Sequence, residues 1–353
     1  MNVNLATKLT YADSLLGAEK PARAARISFY KPSELADYRP PEDALLVGDS
    51  HILRGEVFVI GGEPGVGKST AATELAICGA TGADWLGLPV RARFKTLIIQ
   101  NENGRYRLKQ EYEARGLGAE IDDYILVSEP PPFGMMLTNP EFMEDVHAVM
   151  DSFKPDIVIF DPWNSAAKDD KAADYSAAFE ALRGILPAGK NRPALGIVAH
   201  TRKPQAAEKR IGGSGLMHIL AGSYVVTSVP RCIFILMRGT ADETDNSVVC
   251  FNPKNNNGPC SSSSAWERSP SGFLRIPDFD WKKFESGSGG RPVMQIEHLK
   301  EALGKDKWSR NEAVRRLMKA SGLGERACQN ALSTSGKFAH LLVFEDQWVG
   351  IMQ

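Results

Sequence analysis

Residues 62–69 read Gly62-Glu63-Pro64-Gly65-Val66-Gly67-Lys68-Ser69, and Thr70 follows. Every fixed position of the pattern G-x-x-x-x-G-K-[S/T] is met. Glycines let a backbone wrap an anion without Cβ clashes, so that successive N–H groups point inward. The chemistry predicted is a cradle for a polyphosphate. Lys68 is expected to reach the β- and γ-phosphates, and Ser69 to ligate Mg²⁺. A second piece is Asp156-Ile157-Val158-Ile159-Phe160-Asp161, an apolar run that ends in an acid. Asp161 then stands at the C-terminal edge of a buried strand, where open α/β sheets bind ligands, and is expected to hold Mg²⁺ through water. A third piece is Leu97-Ile98-Ile99-Gln100-Asn101-Glu102. Glu102 is read either as a general base that polarises a water beside the γ-phosphate or as a strand-end acid in solvent, with Glu113 and Glu63 as competitors.

These groups need strands and helices to bring them together. The phosphate loop sits between an apolar run, GEVFVIGG at 55–62, and a helical stretch, STAATELAICGA at 69–80. That helix aims its positive dipole end at the same anion. Further apolar runs are KTLIIQNE (95–102), DYILVSE (123–129), PDIVIFDP (155–162), ALGIVAH (194–200), YVVTSVPRCIFILM (224–237) and NSVVCFN (246–252). Unbroken Val/Ile/Leu without alternation is the mark of strands buried on both faces. With helices between them they predict an α/β core with a parallel sheet over 46–284. Residues 1–45, dotted with Pro and charge, read as an arm or a disordered terminus. ESGSGGRP at 285–292 reads as a flexible linker. Residues 293–353 contain SRNEAVRRLMKASG, with Ser309 and Glu312 as a capping box, then ERACQNAL and the hairpin-like LLVFEDQWVGIM. The outline fits a winged helix and equally a small three-helix packing module.

The order GGEPGVGKST, LIIQNE, DIVIFDP and LGIVAHTRKP resembles the RecA/DnaB-like ATPases, most of all plasmid RepA-type hexameric helicases and their phage and mobile-element relatives. The resemblance spans roughly residues 46–260. AAA+ hydrolases place a Glu directly after the corresponding Asp, whereas Pro162 and Trp163 follow Asp161 here. The resemblance implies a RecA-like fold and ATP with Mg²⁺, gripped by Gly62, Glu63, Pro64, Gly65, Val66, Gly67, Lys68, Ser69 and Thr70. It implies Glu102 as the catalytic glutamate and His200 with Thr201 as the polar sensor of the γ-phosphate. It also makes 202–213 the central-channel DNA loop. On composition alone that loop sets Arg202, Lys203, Lys209 and Arg210 against Glu208, which suits phosphates of single-stranded nucleic acid and equally a solvated loop.

One position departs from the pattern. DnaB-like members carry a K-x-R pair that reaches into a neighbour's ATP site; here Lys254 fits the lysine and Asn256 replaces the arginine. Lys254 alone, Arg231 or Arg238 are the stand-ins considered, and slow or switch-like turnover is the alternative. Trp163 and Asn164 either floor the site or belong to the core.

Composition narrows the field. The chain has 353 residues, with 42 Lys+Arg against 43 Asp+Glu, so any polyanion site must be local. Five dispersed cysteines without a C-x-x-C pair argue against structural zinc and a disulfide framework, and fit a reducing cytoplasm. No run approaches the roughly 18 apolar residues of a membrane span. The expected protein is a DNA-dependent ATPase, a ring and by resemblance a hexamer, with a replication partner or DNA met through 293–353. The rival is an ATP-gated oligomeric regulator or adaptor that holds DNA or a replication partner without unwinding. A small-molecule kinase is the weakest reading, because no acceptor pocket or Arg-rich lid is evident.

Overall fold

A computed structural model of the chain describes residues 29–166, 172–185, 192–202, 213–220, 224–240, 242, 244–286, 294, 296–304, 306–334, 336–345 and 347–352. The expected basic loop, apart from its end residues Arg202 and Gly213, lies outside these residues, as does most of the expected linker. The chain divides into two compact units, with the boundary in sequence between Glu42 and Asp43. In the first, helix α1 (Pro32–Ala36) has proline at its first turn and the Glu34 carboxylate accepting from the Lys31 N–H at 2.7 Å.

The second unit opens with the short antiparallel pair β1 (Leu45–Val47) and β2 (Ile52–Leu53). Its main sheet joins β3 (Val57–Gly62), β4 (Thr96–Gln100), β5 (Ile125–Val127), β6 (Ile157–Asp161), β7 (Ala194–His200), β8 (Cys232–Arg238), β9 (Ser247–Asn255), β10 (Ser264–Ser269) and β11 (Gly272–Arg275) in the order β11-β10-β9-β8-β3-β7-β6-β4-β5. From β8 to β5 the pairings are parallel, and from β8 to β11 they are antiparallel. Both faces are covered. Val57, Val59, Val158 and Phe160 point into one core with Phe142, Met150 and Phe179. Phe58, Ile60, Ile157 and Ile159 point into the other with Ala71, Leu75 and Cys78. The helices are α2 (Lys68–Thr81), α3 (Arg105–Glu113), α4 (Pro140–Phe153) and α5 (Ala172–Ile185). This is the mostly parallel sheet flanked by helices that the buried apolar runs predict.

Three readings need correction. The run at 224–237 is not one strand: α6 (Val225–Ser228) forms first, and β8 starts only at Cys232. Leu126 on β5 is 41% exposed, because β5 is the outermost strand and has a neighbour on one side only. The hairpin β10–β11, turning through Pro270, Ser271 and Gly272 at φ +120°, is absent from the sequence reading. After it, α7 (Trp281–Ser286) extends through the first two residues of the expected linker.

The C-terminal residues have a core of their own, built on Leu299, Leu317, Cys328, Leu342 and Val349. Helix α8 (Ile296–Leu303), strand β12 (Trp308–Ser309), helices α9 (Arg310–Ser321) and α10 (Glu325–Ala331), and strands β13 (Leu342–Glu345) and β14 (Trp348–Ile351) follow in that order. The three strands form an antiparallel sheet, β12-β14-β13. That order is a winged-helix-like domain, and the sheet decides against a purely three-helix module. The capping box does not form: the Ser309 side chain caps nothing, and its residue pairs with Trp348 instead. Glu312 faces Arg315 and Arg316, each at 3.5 Å. Among the described residues no helix is long and apolar enough to cross a membrane.

Candidate active site

The parallel strands end together, and their ends carry the chemistry. The register sets Gly62 beside His200 and Gln100 beside Asp161. A cleft of about 350 Å³ opens there, lined by Pro64, Gly65, Gly67, Lys68, Ser69 and Thr70 of the phosphate loop. Glu102, Asp161 and His200 line the same cleft. The loop's shape follows from its glycines: Gly65 and Gly67 hold φ of +73° and +104°, a region that side chains with a Cβ avoid. Gly67 closes into α2 as its N-cap.

Lys68 is only 6% exposed. Its Nζ donates to the Glu63 carbonyl at 3.0 Å and meets His200 Nδ1 at 3.3 Å. An ammonium has no lone pair to offer, so Nδ1 accepts and the neutral ring carries its proton on Nε2. Burial lowers the pKa of Lys68, while Asp161, Glu102 and Glu63 oppose the shift. Burial also lowers the pKa of His200, and the charge of Lys68 lowers it further.

Asp161 ends β6 and is 6% exposed. Burial pushes its carboxyl up to about 6; a hydrogen bond from Ser69 pulls the other way, and Glu102 adds to the rise. A raised pKa means that the folded chain holds this proton more tightly than the unfolded one. This group's contribution to stability is full below the ordinary value of 3.8 and is lost as pH rises through about 6. A buried carboxyl beside a hydroxyl is a set of hard oxygen donors, so Ser69 and Asp161 fit Mg²⁺. Protons should then compete with the metal. Titration calorimetry with Mg²⁺ and a non-hydrolysable ATP analogue should show affinity falling up to about tenfold per pH unit below pH ~6. Asp161→Asn should flatten that dependence. A wild-type profile no steeper than that of the variant removes Asp161 from the metal site.

Glu102 owes its place to Gln100, a residue that sequence reasoning passed over. Gln100 is 3% exposed. Its Oε1 accepts from the N–H groups of Glu102 (3.0 Å) and Asn103 (2.6 Å), and its Nε2 donates to the carbonyls of Asn103 (2.6 Å) and Ser128 (2.7 Å). One side chain thus folds the turn that presents Glu102. Glu111, also missed, lines the cleft from α3 at 7% exposure. Glu113 points elsewhere, paired with Lys109 at 3.0 Å. Trp163 is core: it is fully buried, with its ring centroid 4.5 Å from that of Phe179.

The structure does not bring Lys254 to this cleft. Lys254 pairs with Ile233, which pairs with Val59, near the start of the phosphate-loop strand. Its Nζ donates to the carbonyls of Thr227 (2.8 Å) and Ser228 (3.3 Å). Arg231 lies at that same end, whereas Arg238 closes β8 at the cleft end. Arg268 and Arg107 line the cleft and were not foreseen. Arg202 follows Thr201, its N–H donating to the Ile219 carbonyl at 2.8 Å; Lys203, Lys209 and Arg210 lie outside the described residues.

Residues 21–206 match the profile of a family described as AAA domain. No curated protein matches the sequence. Among solved structures the chain is similar to a KaiC-like protein from the hyperthermophilic archaeon Pyrococcus horikoshii OT3, at 14% identity and a TM-score of 0.47, over 68% of this chain and 99% of that one. It is also similar to the RadB recombinase, at 15% identity and a TM-score of 0.45, over 64% of this chain and 92% of that one. The matched span takes in the phosphate loop, Glu102, Asp161 and His200, and covers more than half of the sequence: the chain belongs to the AAA domain family of P-loop ATPases.

Proposed function

We propose that the protein is a nucleic-acid-dependent ATPase, a helicase or replication motor of the RepA/DnaB-like kind. The observation that carries this reading is the convergence of Lys68, Ser69, Glu102, Asp161 and His200 on one cleft at the carboxyl ends of the strands. Water attacks the γ-phosphorus in line with the bond to the β-phosphate oxygen, and Glu102 accepts the proton that the water gives up. Lys68 shifts from the Glu63 carbonyl and His200 to the phosphates. Ser69 and Asp161 would hold Mg²⁺, whose charge would offset that of the phosphate oxygens. His200, released by Lys68, reads the γ-phosphate, and the chain runs from it through Thr201 and Arg202 into 203–212. There Lys203, Lys209 and Arg210 add to Arg202 for single-stranded DNA. A neighbour's Lys254 completes the site in a head-to-tail ring, which closes as a hexamer.

Asn256, where the resemblance places an arginine, favours a second reading, an ATP-gated regulator with little motor action. One assay separates the two. The motor predicts that single-stranded DNA raises ATP turnover at least about tenfold, by analogy with partner-supplied activation in related enzymes, and that mass measurement in ATP finds a ring. Slow turnover that DNA leaves unchanged sinks the motor and supports the switch.

A further inference from the structure

The missing arginine at 256 leaves the expected site short of one positive charge. Three arginines of the same chain gather at the phosphate loop and its cleft. Arg268, on β10, donates from Nη1 to the Gly65 carbonyl at 2.6 Å. A Cβ added to Gly67 would meet Arg268 Cδ at 2.7 Å and Phe273 Cζ at 3.4 Å, so the β10–β11 hairpin lies directly on the phosphate loop. Arg268 and Phe273 are register partners across that hairpin. Arg238, the last residue of β8, places Nη2 3.4 Å from where a Cβ on Gly65 would sit. Arg107, from the first turn of α3, lines the cleft together with Arg268.

No carboxylate among the described residues forms an ion pair with any of the three. Burial, then Arg238 and Arg107, holds Arg268 below the ordinary arginine pKa. Like charges packed against a loop of inward N–H groups repel one another until an anion arrives. Guanidinium forks are suited to a polyphosphate with several oxygens to satisfy.

We propose that Arg268 and Arg238, with Arg107, grip the polyphosphate of the nucleotide bound by their own chain, so that the charge a neighbour's arginine would bring is supplied in cis. The inference rests on reading the cleft as a Mg·ATP site. As the bond from water oxygen to the γ-phosphorus forms and the bond to the β-phosphate oxygen breaks, ADP leaves with the electron pair and Glu102 holds the proton. The arginines balance negative charge on the oxygens throughout, and they neither gain nor lose a proton.

Two defective chains test this. Arg268→Ala is expected to bind a fluorescent ATP analogue within about tenfold of wild type and to turn over about 100-fold more slowly, a smaller loss than for a solitary arginine finger because two arginines remain. Lys68→Ala chains keep their arginines and lack a working phosphate loop. Mixed with them, Arg268→Ala should stay slow, because each arginine serves its own chain. Recovery of turnover on mixing overturns the inference by moving the arginine into a neighbour's site, and so does Arg268→Ala at the wild-type rate. Arg238→Ala leaves the Arg268–Gly65 bond in place, so its expected loss of about tenfold in kcat repeats the test without loosening the loop. Wild-type rate in both variants ends the proposal while leaving the site assignment intact. Wild-type chains that bind no nucleotide would instead end the site assignment itself, before any arginine is changed.

Discussion

Lys68→Ala should lose at least about 100-fold in affinity for Mg·ATP, close to 2.7 kcal/mol, while the stability of its ligand-free fold changes little. The two halves of this result have one cause. Lys68 is 6% exposed and reaches the Glu63 carbonyl and His200 Nδ1, neither of them an anion. Burial holds its pKa below the ordinary lysine value, so at neutral pH the folded chain carries this charge at a cost. Removing the ammonium relieves that cost and leaves the carbonyl and the imidazole without a partner, so the net change in stability is small. A bound triphosphate would offset the cost of the ammonium's burial. In a thermal shift assay, Mg·ATP should therefore raise the melting temperature of the wild type and leave that of Lys68→Ala unmoved, with the ligand-free values close together. Retained nucleotide affinity in the variant would remove the phosphate loop from the site.

The same balance explains which parts of the molecule were legible in advance. The phosphate loop was legible because its residue types answer a backbone requirement: Gly65 and Gly67 adopt positive φ that few other residues tolerate. Strands β3, β4 and β6 were legible because every one of their residues is buried, which gives each an apolar run broken only at its ends. Asp161 followed from β6, since an acid that closes such a strand lands at the ligand-binding edge. The antiparallel arm was harder to see. In β10 only Ala265 and Trp266 are buried, so Ser264–Ser269 shows neither a continuous run nor a full alternation. The available signal was the turn Ser269-Pro270-Ser271-Gly272 between Trp266 and Phe273, and reading it would have found Arg268. The Val-Val pair in α6 misled for the opposite reason: a short apolar run has no period long enough to tell helix from strand. Gln100 stayed hidden because its role is four hydrogen bonds to backbone, and no residue pattern records which backbone a buried amide will meet.

Glu102→Gln should bind Mg·ATP within about threefold of wild type and hydrolyse it about 100- to 1,000-fold more slowly, within the range of a lost general base. The substitution keeps the volume and the hydrogen-bonding reach of the side chain and removes its ability to take a proton. The turn that presents residue 102 is set by the Gln100 side chain through backbone N–H groups, so it survives the change. Lys68 and Asp161 also sense the charge of Glu102, and its loss should move both in a definite direction. Glu102 raises the pKa of Asp161, so neutralising it lets Asp161 ionise at lower pH and hold Mg²⁺ more readily. The variant should therefore trap ATP with its metal, and single-turnover quench measurements should find the chemical step slowed while binding remains. Glu111 supplies the control. It is buried, lines the same cleft and faces Arg115 at 3.9 Å, so it is the nearest rival for the proton. If Glu102→Gln turns over at the wild-type rate and Glu111→Gln does not, the base is Glu111 and the water sits against α3, away from the end of β4. If Glu102→Gln is slow and Glu111→Gln keeps most of its turnover, the proton goes to the carboxylate at the strand end, where the Gln100 turn presents it to the cleft beside Lys68 and Asp161.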